Sequence, residues 1–84
     1  MQVRSIADVT YDTLKRQAPT YRGELARSTP IGEGGVGLDS IACLELLLEL
    51  EDKTGLQLRD EHLTAECLAT IGGLIGYLEQ SQVR

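Results

Sequence analysis

Asp39-Ser40-Ile41-Ala42-Cys43-Leu44-Glu45-Leu46-Leu47-Leu48-Glu49-Leu50-Glu51-Asp52-Lys53-Thr54, closed by Gly55, is the stretch that sets the fold of this chain. It is built almost wholly from good helix formers, opens on Asp-Ser, and ends on a glycine in the position that commonly stops a helix. It predicts a helix over 39–54. Ser at a helix start is usually an N-cap, and Asp39 competes for that role.

At about 100° per residue, with Ile41 at zero, Cys43, Leu46, Leu47 and Leu50 fall between roughly 140° and 240°, a core face. Ile41, Leu44 and Leu48 fall between roughly 300° and 360°, a second apolar stripe. Glu45, Glu49 and Asp52 lie beside that stripe, between roughly 20° and 80°. One apolar face is enough to bury a helix. The second either packs on a neighbouring loop or short helix, or is a docking surface with an apolar centre and a charged rim.

Upstream, 18–38 holds both prolines, Pro19 and Pro30, and five of the nine glycines: Gly23, Gly32, Gly34, Gly35 and Gly37. It reads as a long loop of the kind that often carries function. Leu25, Ala26 and Ile31 are expected to pin it to the core, with a short helical turn near 24–27. Before it, Val3, Ile6, Ala7, Thr10 and Leu14 form one stripe at helical spacing, predicting a first helix over 2–17. Downstream, Leu56-Gln57-Leu58 is an extended connector. Asp60 or Thr64 is expected to cap a short helix over 60–67, and Thr70 a last helix over 70–80 with Ile71, Leu74, Ile75 and Leu78 on one face. Gly72, Gly73 and Gly76 weaken that helix and are expected to permit close packing. The sum is an all-α chain of one domain over 1–84, a small four-helix bundle with three longer helices, one short one, and a long loop after the first.

The chain has 84 residues, no Trp, no Phe and three Tyr, so its core must come from Leu, Ile, Val and Ala. The formal net charge is −5, from 13 acidic and 8 basic residues. That argues against a nucleic acid as partner and fits basic protein partners steered by an acidic surface. Cys43 and Cys67 match no zinc spacing, and His62 is the only imidazole, so free thiols are expected and no metal site. There is no signal-peptide pattern and no apolar run long enough to span a membrane. The reading is a cytoplasmic, monomeric protein without a membrane or nucleic-acid role.

Ser40 is not read as a catalyst. His62 lies in the later connector, and nothing places it as a base oriented by a third group. The Gly-rich run before Ser40 is not GxGxxG after a strand, and no Walker Lys follows.

The run Gly37-Leu38-Asp39-Ser40-Ile41, leading into Leu44-Glu45-Leu46, resembles the signature of the acyl carrier protein family. Thr54-Gly55 closing the helix, the connector Leu56–Glu61 and Thr70-Ile71 opening the last helix extend the resemblance over about the whole chain. It departs at Ile41, where Leu is commoner, at Ala42, acidic in some fatty-acid carriers, and at Gly73, where many carriers have a larger residue. The resemblance implies a carrier, not an enzyme, with no catalytic residue of its own. It implies that Ser40 holds 4′-phosphopantetheine, delivered from coenzyme A by a phosphopantetheinyl transferase, with Asp39 part of the transferase's recognition. Acyl groups would ride on the terminal thiol as thioesters. It also implies that Ile41, Leu44, Glu45, Leu48 and Glu49 form a shared partner surface.

The segment Asp60–Cys67 is similar to that of discrete carriers in secondary metabolism. The leading expectation is therefore an acyl carrier for polyketide or hybrid antibiotic-type pathways, visited by an acyltransferase, a ketosynthase or a ligase. A peptidyl carrier loaded by an adenylation enzyme, a fatty-acid carrier, and an unmodified helical interaction protein are the other expectations. Met1 and the short tail after the last helix read as a free-standing chain.

Overall fold

The computed structural model describes residues 5–59 and 61–82. They form an all-helical unit of three α-helices: α1 Ile6–Gln17, α2 Ser40–Thr54 and α3 Ile71–Gln82. No strand occurs among the described residues. The expected first positions of helix one, 2–4, lie outside them.

The start of each helix and the end of α2 have a chemical cause. The Ser5 hydroxyl accepts the Asp8 N–H at 3.1 Å and caps α1. Asp39 caps α2, and Gly55, at φ 72°, ends it with its N–H on the Glu51 carbonyl. A left-handed residue closes a helix at little steric cost only when it lacks a Cβ. The Thr70 hydroxyl accepts the Gly73 N–H at 3.1 Å at the start of α3.

The helices meet around Leu14 of α1, Leu46, Leu47 and Leu50 of α2, and Ile71, Leu74, Ile75 and Leu78 of α3, all essentially buried. Each such side chain contributes about 1.5–3 kcal/mol by leaving water. Tyr77 joins them, the one buried aromatic ring. Thr10 and Thr13 are also fully buried, with their hydroxyls satisfied by the carbonyls of Ile6 and Val9 one turn back. No helix of the described residues is long and apolar enough to cross a membrane.

The long segment between α1 and α2 is more ordered than its glycines imply. Ile31 and Val36 are buried in the core, and Leu25 and Ala26 are half-buried. The expected helical turn near 24–27 is instead a hydrogen-bonded turn over 26–29, closed by the Thr29 N–H on the Ala26 carbonyl, with the Thr29 hydroxyl accepting the Ala26 N–H and donating to the Glu24 carbonyl. The loop is laced to α3 by Ile31 N–H to Ala69 carbonyl, Ile71 N–H to Thr29 carbonyl and Gly72 N–H to Arg27 carbonyl, around a bridge between Pro30 and Thr70.

The short helix expected over 60–67 is corrected to a single 3₁₀ turn, Ala65–Leu68. Residue 60 lies outside the described residues. Thr64 stands at the N-cap but makes no capping bond, and its hydroxyl sits 3.4 Å from Cys67 Sγ instead. With so few residues and no cap, an α-helical nucleus is not sustained. Two of the three glycines of α3 do permit close packing. A Cβ on Gly73 would come within 2.8 Å of the Glu66 carbonyl and one on Gly72 within 3.0 Å of the Arg27 carbonyl, while one on Gly76 would meet nothing within 4 Å. Gly73 thus admits the backbone of the 3₁₀ turn and Gly72 that of the long loop.

Candidate functional site

The approach to α2 is a hydrogen-bonded turn. Val36 donates to the Pro30 carbonyl, Gly35 and Gly37 to the Gly32 carbonyl, and Leu38 to the Ile31 carbonyl, all at 2.9–3.1 Å. Gly37 sits at φ 86°, a conformation that side chains with a Cβ rarely adopt. The turn delivers Asp39 in an extended conformation, so its carboxylate folds back on the helix it precedes.

Asp39 Oδ1 accepts the Ala42 N–H at 2.8 Å, and the Asp39 carbonyl accepts the Cys43 N–H at 2.8 Å. Of the two residues competing to cap α2, Asp39 takes the role. Ser40 becomes the first helical residue. Its side chain is exposed, and its hydroxyl makes no hydrogen bond among the described residues. The N–H groups of Ser40 and Ile41 belong to the first turn and have no carbonyl of the helix to meet. This end of the helix carries partial positive charge, which favours an anion.

Beside Ser40 lies a hollow of about 400 Å³. Five leucines (38, 44, 47, 63 and 68) and Cys43 wall it, and its polar groups are Asp39, Ser40 and Arg59. The Cys43 thiol lies 3.9 Å from the Leu38 carbonyl. Burial pushes that thiol above the ordinary cysteine range, and the Asp39 carboxylate adds to the shift. Both cysteines are free. No cluster of His, Cys, Asp or Glu able to hold a metal exists among the described residues.

The second apolar stripe of α2 is only partly covered: Ile41 is 72% exposed, Leu44 46% and Leu48 44%, with Leu44 also bordering the hollow. Glu45 is exposed beside it. Glu49, the other acidic residue expected there, is half-buried. Its carboxylate faces α1, accepting from Gln17 Nε2 at 2.9 Å and pairing with Arg16 and with Lys53, the latter at 3.1 Å. The helical wheel fixes only an angle within one helix; which neighbour that angle faces depends on how α1 packs.

Sequence reasoning missed two participants, Arg59 and Glu51. Glu51 Oε2 accepts the Leu58 N–H at 2.9 Å, and Oε1 pairs with the Arg59 guanidinium at 3.0 Å. No periodic signal marks this contact, because it joins a helix to an irregular connector.

A helix whose exposed first-turn serine is relieved of capping, next to an apolar hollow, is suited to holding something covalently rather than to transforming it. The family described as phosphopantetheine attachment site matches residues 24–78, and the chain belongs to that family. Its members are carriers, not catalysts, and the group carried covalently is 4′-phosphopantetheine. The chain is also similar to an acyl carrier protein of Exiguobacterium sp., 41% identical over 44 residues, which are 52% of this chain and 53% of that protein. The chain thus matches about half the length of this curated relative.

The residues present fit the group. Ser40 offers an accessible hydroxyl, the first turn offers N–H donors to a phosphodiester, and Asp39 holds that turn open without using the hydroxyl.

Proposed function

We propose that this chain is one acyl carrier domain whose Ser40 holds the 4′-phosphopantetheine arm, and that it serves polyketide or hybrid secondary-metabolite assembly in the cytoplasm. The observation that carries the site is the Ser40 hydroxyl, exposed and unbonded at the first turn of α2 while Asp39 does the capping. The arm, when attached, supplies a thiol that holds acyl groups as thioesters. The chain's own residues do the rest. Asp39 orders the first turn and presents a fixed carboxylate to the transferase. The first-turn N–H groups stabilise the phosphodiester anion. Ile41, Leu44 and Leu48, rimmed by Glu45, give the visiting acyltransferase, ketosynthase or ligase an apolar centre and an acidic edge. The leucine-walled hollow shields a short acyl chain from water.

The secondary-metabolite assignment rests on the resemblance of the connector after α2 to that of discrete carriers in such pathways. A peptidyl carrier would use the same Ser40, and an adenylation enzyme as its loading partner would replace the acyl reading. The attachment is tested by incubating the protein with coenzyme A, Mg²⁺ and a broad-specificity transferase and recording the intact mass. A gain of one phosphopantetheine is expected. An unchanged mass overturns the carrier reading, and a gain on Ser40→Ala moves the site elsewhere.

A further inference from the structure

The hollow beside Ser40 has a near end and a far end. At about 100° per residue, Ser40, Leu44, Leu47 and Glu51 fall within roughly 60° of one another on α2, one for each turn. Ser40, Leu44 and Leu47 line the hollow, and Glu51 stands one turn beyond Leu47. From Ser40 to Glu51 the helix rises about 16 Å. There Glu51 Oε1 holds the Arg59 guanidinium at 3.0 Å, and Oε2 holds the Leu58 N–H. Arg59, fixed in this way at φ 61°, also lines the hollow. The near end thus carries Ser40 and the Asp39 carboxylate, the walls are leucine, and the far end carries the one cation among the lining residues.

An arm on Ser40 is long enough to serve that far end. From the serine oxygen to its sulfur, phosphopantetheine is a chain of about fourteen bonds, which at the ~1.1–1.2 Å advance per bond of an extended chain spans about 16 Å. With a short acyl group added, the tether has slack to turn into the hollow and still bring the last carbons of the acyl group to Arg59. A hydrocarbon end placed there strips water from guanidinium N–H groups and offers them nothing. An end that carries oxygen replaces the water. The contact with Glu51 uses one of the five donors, so others remain. Because Glu51 already matches the charge of Arg59, a neutral acceptor suits the place better than a second carboxylate.

We propose that Arg59 is a specificity residue, favouring acyl groups with a keto oxygen remote from the thioester over hydrocarbon chains of equal length. The inference rests on Ser40 carrying the arm, and it deepens the polyketide reading: growing chains that keep their carbonyl oxygens fit this hollow better than fully reduced ones.

The test loads wild-type protein from hexanoyl-coenzyme A or from 5-oxohexanoyl-coenzyme A with a broad-specificity transferase, loading being verified by intact mass. The two chains differ by one carbonyl. The Leu47 and Leu63 methyl resonances are expected to shift with both, and the Arg59 Nε–Hε cross-peak with the 5-oxohexanoyl chain alone. That chain is also expected to give the higher urea midpoint of the two, a difference that Arg59→Met removes by keeping the stem without the donors. An Arg59 cross-peak that moves equally with both chains, or with neither, overturns the inference and leaves the carrier reading standing, and so do unmoved Leu47 and Leu63 methyls. Failure of the wild type to load overturns both. The resonance comparison uses wild-type protein alone, so it decides the matter even where Arg59→Met does not fold.

Discussion

The carboxylate of Asp39 accepts the backbone N–H of Ala42 at 2.8 Å, and this one bond determines what the next residue is free to do. Asp39→Ala removes the cap and is expected to cost about 0.5–2 kcal/mol, read as a lower urea midpoint with unchanged slope. Asp39→Asn keeps the acceptor and should cost far less. An equal loss for both would show that the charge, not the cap, matters.

Because Ser40 caps nothing, Ser40→Ala should leave stability unchanged or raise it by a few tenths of a kcal/mol, since Ala is the better helix former. Denaturation of the apo protein checks this. A loss of 1 kcal/mol or so would mean that the hydroxyl has a structural partner.

Glu45 and Glu49 are one turn apart and are expected to separate cleanly. Glu45→Lys should weaken binding of the transferase several-fold at low salt with little change in stability. Glu49→Gln should leave that affinity unchanged but destabilise the fold by about 1–2 kcal/mol, because Arg16 and Lys53 lose a shared, largely buried counter-charge. Titration by surface plasmon resonance and urea unfolding of both variants distinguish the two roles.

Gly76→Ala is expected to stabilise the protein by about 1 kcal/mol, since a Cβ there enters open space in the middle of α3. Gly73→Ala should destabilise it by about 1–3 kcal/mol, because the Glu66 carbonyl is rigid backbone and must move. Thermal melts with the two changes moving in opposite directions would bear this out.

Cys43 should react slowly with alkylating reagents at neutral pH, more slowly than a free cysteine, because burial and the neighbouring Asp39 disfavour its thiolate. The sign for stability follows from a folded pKa above the unfolded one. The contribution is complete below the unfolded thiol's pKa and is lost as pH climbs through the raised folded value. Stability should therefore decline on the alkaline side, and Cys43→Ala should flatten that part of the profile.

Much of this was legible in the residues. Asp-Ser before an unbroken helical run, Gly55 after it and the Ile71–Leu78 spacing are local signals, and here the caps and the packing agree with them. The partner of Glu49 was not legible, because it lies 32–33 positions back in α1 and the wheel of α2 contains no knowledge of it. The Glu51 contact and the left-handed Arg59, at φ 61°, were hidden for the same reason: each belongs to an irregular connector held by a group outside it. The order within the Gly-rich run was also hidden, since composition marks where a chain can turn but not which carbonyls its N–H groups will find.

The lacing of residues 27–31 to the start of α3 has a kinetic consequence. Helices of this length form in about a microsecond. The bridge between Pro30 and Thr70, however, joins positions about 40 apart, and closing that span costs chain entropy before any bond rewards it. The rate at which this protein folds is therefore expected to be set by one long-range docking event, and substitutions along that seam should slow folding more than substitutions within α1.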